Sequence, residues 1–244
     1  MPEQIWFAQF LNQHLAGVIT PLLQRIGITP HYPRAPISNF VAMELLVFLI
    51  LIVFFVLVRM RLSVERPGGL QHIVEGIEGF VGGQSEEIIG HHSEQFTPFL
   101  VVIGLFILVG NLIGLVPTLE SPTASGSVPL GCAILTFVYY NLQGIRKQGL
   151  LKYLKHFTGP MPAMAPLMLP IELFSHAARV LSLTLRLYAN MFAGDMVTLV
   201  FMSLIPVFVP VIFLGLHVFV SLLQAYIFVL LTTVYLAGAV AEEH

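Results

Sequence analysis

From Phe40 to Val58 the chain stays apolar for 19 residues, broken only by Glu44, and Arg59, Arg61 and Arg66 follow at once. At 1.5 Å per residue such a run is long enough for a hydrocarbon core of about 30 Å, so it predicts a membrane-crossing helix. The next stretch has a different rhythm. Leu70, Ile73, Val74, Ile77, Phe80 and Val81 recur at helical spacing, with Gln71, Glu75 and Glu78 between them. That is the pattern of an amphipathic helix over 70–89. Its polar face is acidic, so attraction to anionic headgroups explains it poorly and a partner helix explains it better. A second apolar run covers 96–116, interrupted by Asn111, and the turn-rich PTLESPTASGSV over 117–128 ends it. A third, from Pro129 to about Leu142, is short and leads into a basic loop holding Arg146, Lys147, Lys152 and Lys155. Ahead of all of these, residues 1–39 carry five prolines and mixed polarity, the pattern of a short helix followed by a loop.

The C-terminal part is built on a longer scale. Residues 165–202 and 207–240 are apolar segments of well over 30 residues each, and Pro206 and Pro210 mark the turn between them. Segments longer than the bilayer is thick must tilt, so a slanted helical hairpin is predicted. The fold class that follows is an all-α integral membrane protein. It has about five membrane-crossing helices and one amphipathic interfacial helix, and its last two helices form a long, strongly tilted hairpin. Residues 1–39 then form an extracytoplasmic N-terminal segment and 40–244 a single membrane domain, with the ion-path hairpin over 165–240.

Composition agrees with this pattern and excludes several functions. Of 244 residues, 57% are hydrophobic and only 10% charged, where soluble domains carry about a quarter charged residues. Net charge is −2 with no basic block, so nucleic acid is excluded as a partner. A single cysteine, Cys132, rules out an intramolecular disulfide framework. The N-terminus has no basic stretch leading into an apolar core, so the spans themselves direct insertion. There is no GxxxxGK[ST] loop, so nucleotide chemistry belongs elsewhere and the chain is not expected to be an enzyme by itself. His91 and His92 with Glu94 lack the HExxH spacing of a metalloprotease, and neither metal nor cofactor is expected.

Five crossings put Arg59, Arg61, Arg66, Arg146, Lys147, Lys152 and Lys155 on one side and only Arg25 and Arg34 on the other. The larger group marks the cytoplasmic side, so the N-terminus lies outside and the C-terminus inside. The remaining basic residues, Arg179 and Arg186, fall within the fourth apolar segment.

At about 100° per residue, Glu172, Ser175, Arg179, Ser182, Arg186 and Asn190 share one narrow face of that segment. A charge at mid-bilayer costs several kcal/mol, so such a stripe marks an ion path or a protein partner. An internal salt bridge between Glu172 and Arg179, or snorkelling of Arg179 to the interface, is the structural alternative. No acidic residue lies within a turn or two of Arg186, so its counter-charge must come from elsewhere, such as another chain. Counting from a turn at Pro206, Asp195 and His217 lie at similar depth near the outer side, and Arg186 falls within a turn of Gln224. His217, Ser221 and Gln224 share a face of the final helix. Glu172 sits about 21 Å inward of Arg186. Two polar clusters at different depths therefore flank a bare arginine: Asp195 with His217, and Glu172 with Ser175 and His176. His217 could be an ordinary hydrogen-bonded core residue, but its pairing with the only aspartate of the chain points toward a proton relay.

With these residues in view, the chain resembles subunit a of F-type ATP synthases. The resemblance is densest in SLTLRLYANMFAGD (182–195) and LHVFVSLLQAYIFVLLTTVYL (216–236), and weaker in RPGGLQ, NLIGLVP, HFTGP and the closing AEEH. It implies that Arg186 is the essential stator charge facing the rotor ring. Asp195, His217, Asn190 and Gln224 become the outer half-channel, and Glu172 and Ser175 the inner one beside His176, with Arg179, Ser182 and Ser221 in support. Asp195 departs from the glutamate common at that position. The resemblance further implies the c-ring, a peripheral-stalk subunit b and the lipid bilayer as partners, and the plasma (inner) membrane of a bacterium as the location. A proton-coupled secondary transporter is the competing class; such folds show internal repeats and broken helices, and the sequence shows neither.

Overall fold

The computed structural model describes residues 4–25, 35–63, 65, 67–90, 93–116, 118–149, 152–153, 165–204 and 208–241. Arg34, Arg66, His91, His92, Lys155 and Pro206 lie outside them. Among the described residues every regular element is helical. The order is α1 (Trp6–Arg25), α2 (Asn39–Met60), α3 (Gly69–Ile89), α4 (Thr97–Leu112), α5 (Ser127–Gln148), α6 (Ala165–Leu204) and α7 (Phe208–Val240), with single 3₁₀ turns around α4 and before α5.

Local chemistry sets the helix ends. The Ser38 hydroxyl accepts from the Val41 amide at 3.4 Å and caps α2. Glycines end α3 and α5: Gly90 at φ 85° and Gly149 at φ 82° adopt a left-handed backbone that a side chain would strain.

Two elements are longer than the apolar pattern predicts. α1 runs for 20 residues, not as a short helix, and accommodates Pro21 in its last turns. It is fastened to the start of α2. Asn12 exchanges two 3.0 Å hydrogen bonds with the backbone of Ile37, and the Ile5 amide donates to Asn39 Oδ1 at 3.2 Å. α5 continues past Leu142 to Gln148. The polar residues there are satisfied in place, since Asn141 donates to the Phe137 carbonyl and accepts from the Tyr153 hydroxyl, each at 2.7 Å.

Among the described residues four helical stretches are long and apolar enough to cross a membrane: Asn39–Met60, Thr97–Leu115, Ser127–Gln148 and Val211–Val240. α6, the fourth of the five predicted crossings, is not one of them; it carries Glu172, Arg179, Arg186 and Asp195 within its 40 residues. The core lies where α4, α5, α6 and α7 meet. Leu183, Leu187 and Met191 of α6 pack with Ile103, Ile107, Cys132, Ala133 and Phe228. A second cluster joins α3 to α4, α5 and α7 through Val81, Leu100, Tyr140 and Leu236. The helix partner sought for amphipathic α3 is therefore found within the chain. Val81 and Ser85 are buried against it, Gln84 donates to the Tyr226 hydroxyl at 2.8 Å, and Glu75 and Glu78 remain exposed.

Small residues let these helices approach. A Cβ on Gly144 of α5 would lie 2.9 Å from the Ala239 carbonyl oxygen of α7, and still closer to the Tyr153 ring. Backbone cannot yield as a flexible side chain can. Gly144→Val should therefore cost about 1–3 kcal/mol of packing. The expected readout is a lower melting temperature of the chain in detergent, with Gly131→Val, at a glycine with open space around it, as the unaffected comparison.

Candidate functional site

α6 and α7 form an antiparallel pair whose register is set by polar and aromatic contacts at three levels. Phe201 and Phe213 stack with centroids 4.5 Å apart near the turn. Asp195 Oδ1 lies 3.7 Å from His217 Nδ1. Farther from the turn, Asn190 Nδ2 donates to Gln224 Oε1 at 2.8 Å. The pairs mirror about the junction of the two helices, as counting from Pro206 predicts.

At the first polar level His217 is almost fully buried while the Asp195 side chain stays about a third exposed. Gly194 favours this close approach, because a Cβ there would sit 3.1 Å from His217 Nδ1 and crowd the ring by a few tenths of an ångström. His217 Nε2 and Ser221 Oγ are buried without a hydrogen bond from the described residues, and groups of that kind are satisfied by ordered water. The cluster thus joins a partly exposed carboxylate of α6 to an imidazole and a hydroxyl of α7. Such a set can take up a proton and hand it on.

Arg186 comes next, about 14 Å along α6 from Asp195. It is half-buried, and its Nη2 donates to Ser182 Oγ at a long 3.4 Å. Among the described residues no carboxylate pairs with it. A guanidinium stays charged at any working pH, so this site presents a fixed cation with no counter-charge among the described residues.

The second polar cluster surrounds His176, which is buried. Its Nε2 stands 3.4 Å from Glu172 Oε1, and its Nδ1 meets the Tyr140 hydroxyl of α5 at 2.8 Å. Arg179 does not pair with Glu172, as the salt-bridge alternative required. Instead its guanidinium lies over the Tyr235 ring of α7, 5.2 Å from the centroid, a cation–π contact. Ser175 is half-buried on the same face of α6 and makes no side-chain hydrogen bond among the described residues.

The structure thus brings together Asp195 with His217, Asn190 with Gln224, Glu172 with His176, and Arg186 with Ser182. Arg186 is not opposite Gln224 itself; Asn190, one turn along, takes that place. Sequence reasoning passed over Tyr140 and Tyr235. Each is a tyrosine in an apolar run, and only the contacts of its hydroxyl or ring face distinguish it from core aromatics.

Residues 41–237 match the family described as ATP synthase A chain. The chain is 56% identical over 244 residues to ATP synthase subunit a of Koribacter versatilis, covering all of both chains. It is 56% identical over 233 residues to the subunit a of Solibacter usitatus, covering 96% of this chain and 99% of that one. Subunit a 1 of Syntrophotalea carbinolica is 36% identical over 245 residues, again across all of both. Matched over its membrane helices by the family and along its whole length by these relatives, the chain belongs to the ATP synthase A chain family.

Proposed function

We propose that this chain is the stator subunit of the membrane sector of an F-type ATP synthase, and that it passes protons to and from a carboxylate on a rotating ring through two offset half-channels. The observation that carries this reading is Arg186: a half-buried cation with no counter-ion among the described residues, set between two carboxylate–histidine pairs. An unpaired charge at that depth is costly, and a rotor carboxylate arriving at the α6 surface supplies the missing partner.

The outer half-channel runs through Asp195, His217, Ser221, Gln224 and Asn190. A proton taken up at Asp195 and His217 neutralises a rotor carboxylate, which can then face lipid at acceptable cost. After most of a revolution that carboxylate gives up its proton to the inner half-channel at Glu172, Ser175 and His176. Arg186 draws the rotor carboxylate into its ionised form and, by charge repulsion, keeps protons from crossing directly between the two paths. Each proton crossing 100 mV delivers about 2.3 kcal/mol, which several crossings accumulate for ATP synthesis in another subunit.

α6 and α7, about 60 and 50 Å long at 1.5 Å per residue, lie strongly tilted in the bilayer as the fourth and fifth crossings. The basic loop faces the cytoplasm of a bacterium and α1 lies outside. The partners are the c-ring on the Arg186 face, the stalk subunit b and lipid.

Purification through a tag on this chain tests the reading. A small subunit with a mid-span carboxylate should co-elute, and the reconstituted complex should acidify vesicles on ATP hydrolysis. Elution of the chain without such a subunit, together with proton-coupled uptake of a solute, would instead establish a secondary transporter.

A further inference from the structure

The inner cluster contains a group that the charged stripe of α6 does not account for. Tyr140 projects from α5, is 1% exposed, and holds its hydroxyl 2.8 Å from His176 Nδ1. Its ring lies within the aromatic packing of Phe137, Tyr235 and the His176 imidazole. Apolar burial alone would be met as well by phenylalanine, so the hydroxyl needs its own explanation.

The direction of its hydrogen bond follows from the far side of the imidazole. His176 Nε2 stands 3.4 Å from the Glu172 carboxylate, and an ionised carboxylate only accepts, so a neutral ring facing it carries its proton at Nε2. Nδ1 is then the acceptor, and the Tyr140 hydroxyl 2.8 Å away donates to it.

We infer that Tyr140 is a positioning residue of the inner half-channel, whose hydroxyl locks His176 in the tautomer that presents an N–H to Glu172. The inference rests on the proposed half-channel function of Glu172. In this tautomer the carboxylate faces a donor, so its ionised, proton-accepting form is supported. In the other tautomer a lone pair would face the anion, and Glu172 would hold its proton instead of releasing it.

The test is Tyr140→Phe in the assembled complex, compared with His176→Gln, the double variant and Arg186→Ala. Proton-driven ATP synthesis in vesicles should fall about fivefold in Tyr140→Phe, the worth of one neutral hydrogen bond. The double variant should be no slower than His176→Gln alone. The second readout is infrared difference spectroscopy of the histidine-labelled complex. The ring mode of His176, identified by its loss in His176→Gln, should report Nε2–H in the wild type and a mixed or Nδ1–H state in Tyr140→Phe. A wild-type band of the Nδ1–H form overturns the proposal, as does a band that Tyr140→Phe leaves in place, or losses that multiply in the double variant. If Tyr140→Phe is silent while Arg186→Ala loses coupling, only the role of Tyr140 has failed. If Arg186→Ala also keeps coupling, the stator function beneath it has failed.

Discussion

Arg186→Ala is expected to abolish both proton-driven ATP synthesis and ATP-driven acidification in membrane vesicles, with the complex still assembled. The magnitude follows from the charge. Arg186 is half-buried and, among the described residues, its one hydrogen bond is the 3.4 Å contact to Ser182, so little of the described packing depends on it. A rotor carboxylate brought ionised to this surface without a cation faces a penalty of about 3 kcal/mol, which is roughly a 100-fold loss of rate. Arg179→Ala is the control. That guanidinium already has the Tyr235 ring beneath it, so its loss should reduce coupling by less than about tenfold. Additional passive proton leak in Arg186→Ala would support the blocking role of the cation. Coupled transport near the wild-type level would mean that the charge is structural and the mechanism proposed for it is wrong.

The charged residues of α6 could be singled out in advance because a bilayer punishes charge. In a soluble protein Glu172, Arg179, Arg186 and Asp195 would be unremarkable surface residues. On an apolar helix they can only form a seam, and helical geometry fixes which of them share it. The hairpin was legible for a related reason. With a turn at Pro206, residues at equal distance on either side must meet, and Asp195 with His217 do meet at 3.7 Å. The same count brought Gln224 only to within one turn of its true partner, because equal depth on two helices does not specify which side chain rotates inward; that partner is Asn190.

What stayed hidden lies between elements distant in sequence. Tyr140 and His176 are 36 residues apart, and an apolar run containing a tyrosine has the same periodicity whether or not its hydroxyl is used. The length of α5 was obscured by the opposite effect. Asn141 and Gln143 break the hydropathy on either side of Leu142, yet the helix persists, with Asn141 satisfied by Phe137 and Tyr153. For α1, composition suggested a short helix, while the bonds joining Asn12 to Ile37 hold a 20-residue one against α2.

Asp195→Asn should produce the second large loss, with coupled transport falling about 100-fold, the lower range for removing a positioned proton-transfer group. The amide keeps the size and the hydrogen-bonding capacity of the side chain but can no longer take up and release a proton. Asp195→Glu separates that chemistry from shape. The Oδ1 to Nδ1 distance of 3.7 Å leaves a gap, the Asp195 side chain is a third exposed, and one more methylene has room to reach His217. Transport in Asp195→Glu should therefore stay within about threefold of the wild type, a change worth well under 1 kcal/mol. The two variants are compared by proton-driven ATP synthesis at a fixed imposed gradient, so that the outer path supplies the proton. Rates near wild type in Asp195→Asn would remove this carboxylate from the path and leave His217 to receive protons directly from water. A large loss in both variants would mean that geometry at this level matters more than the titrating group. The packing of His217 against Gly194, and not the charge of residue 195, would then control the outer half-channel.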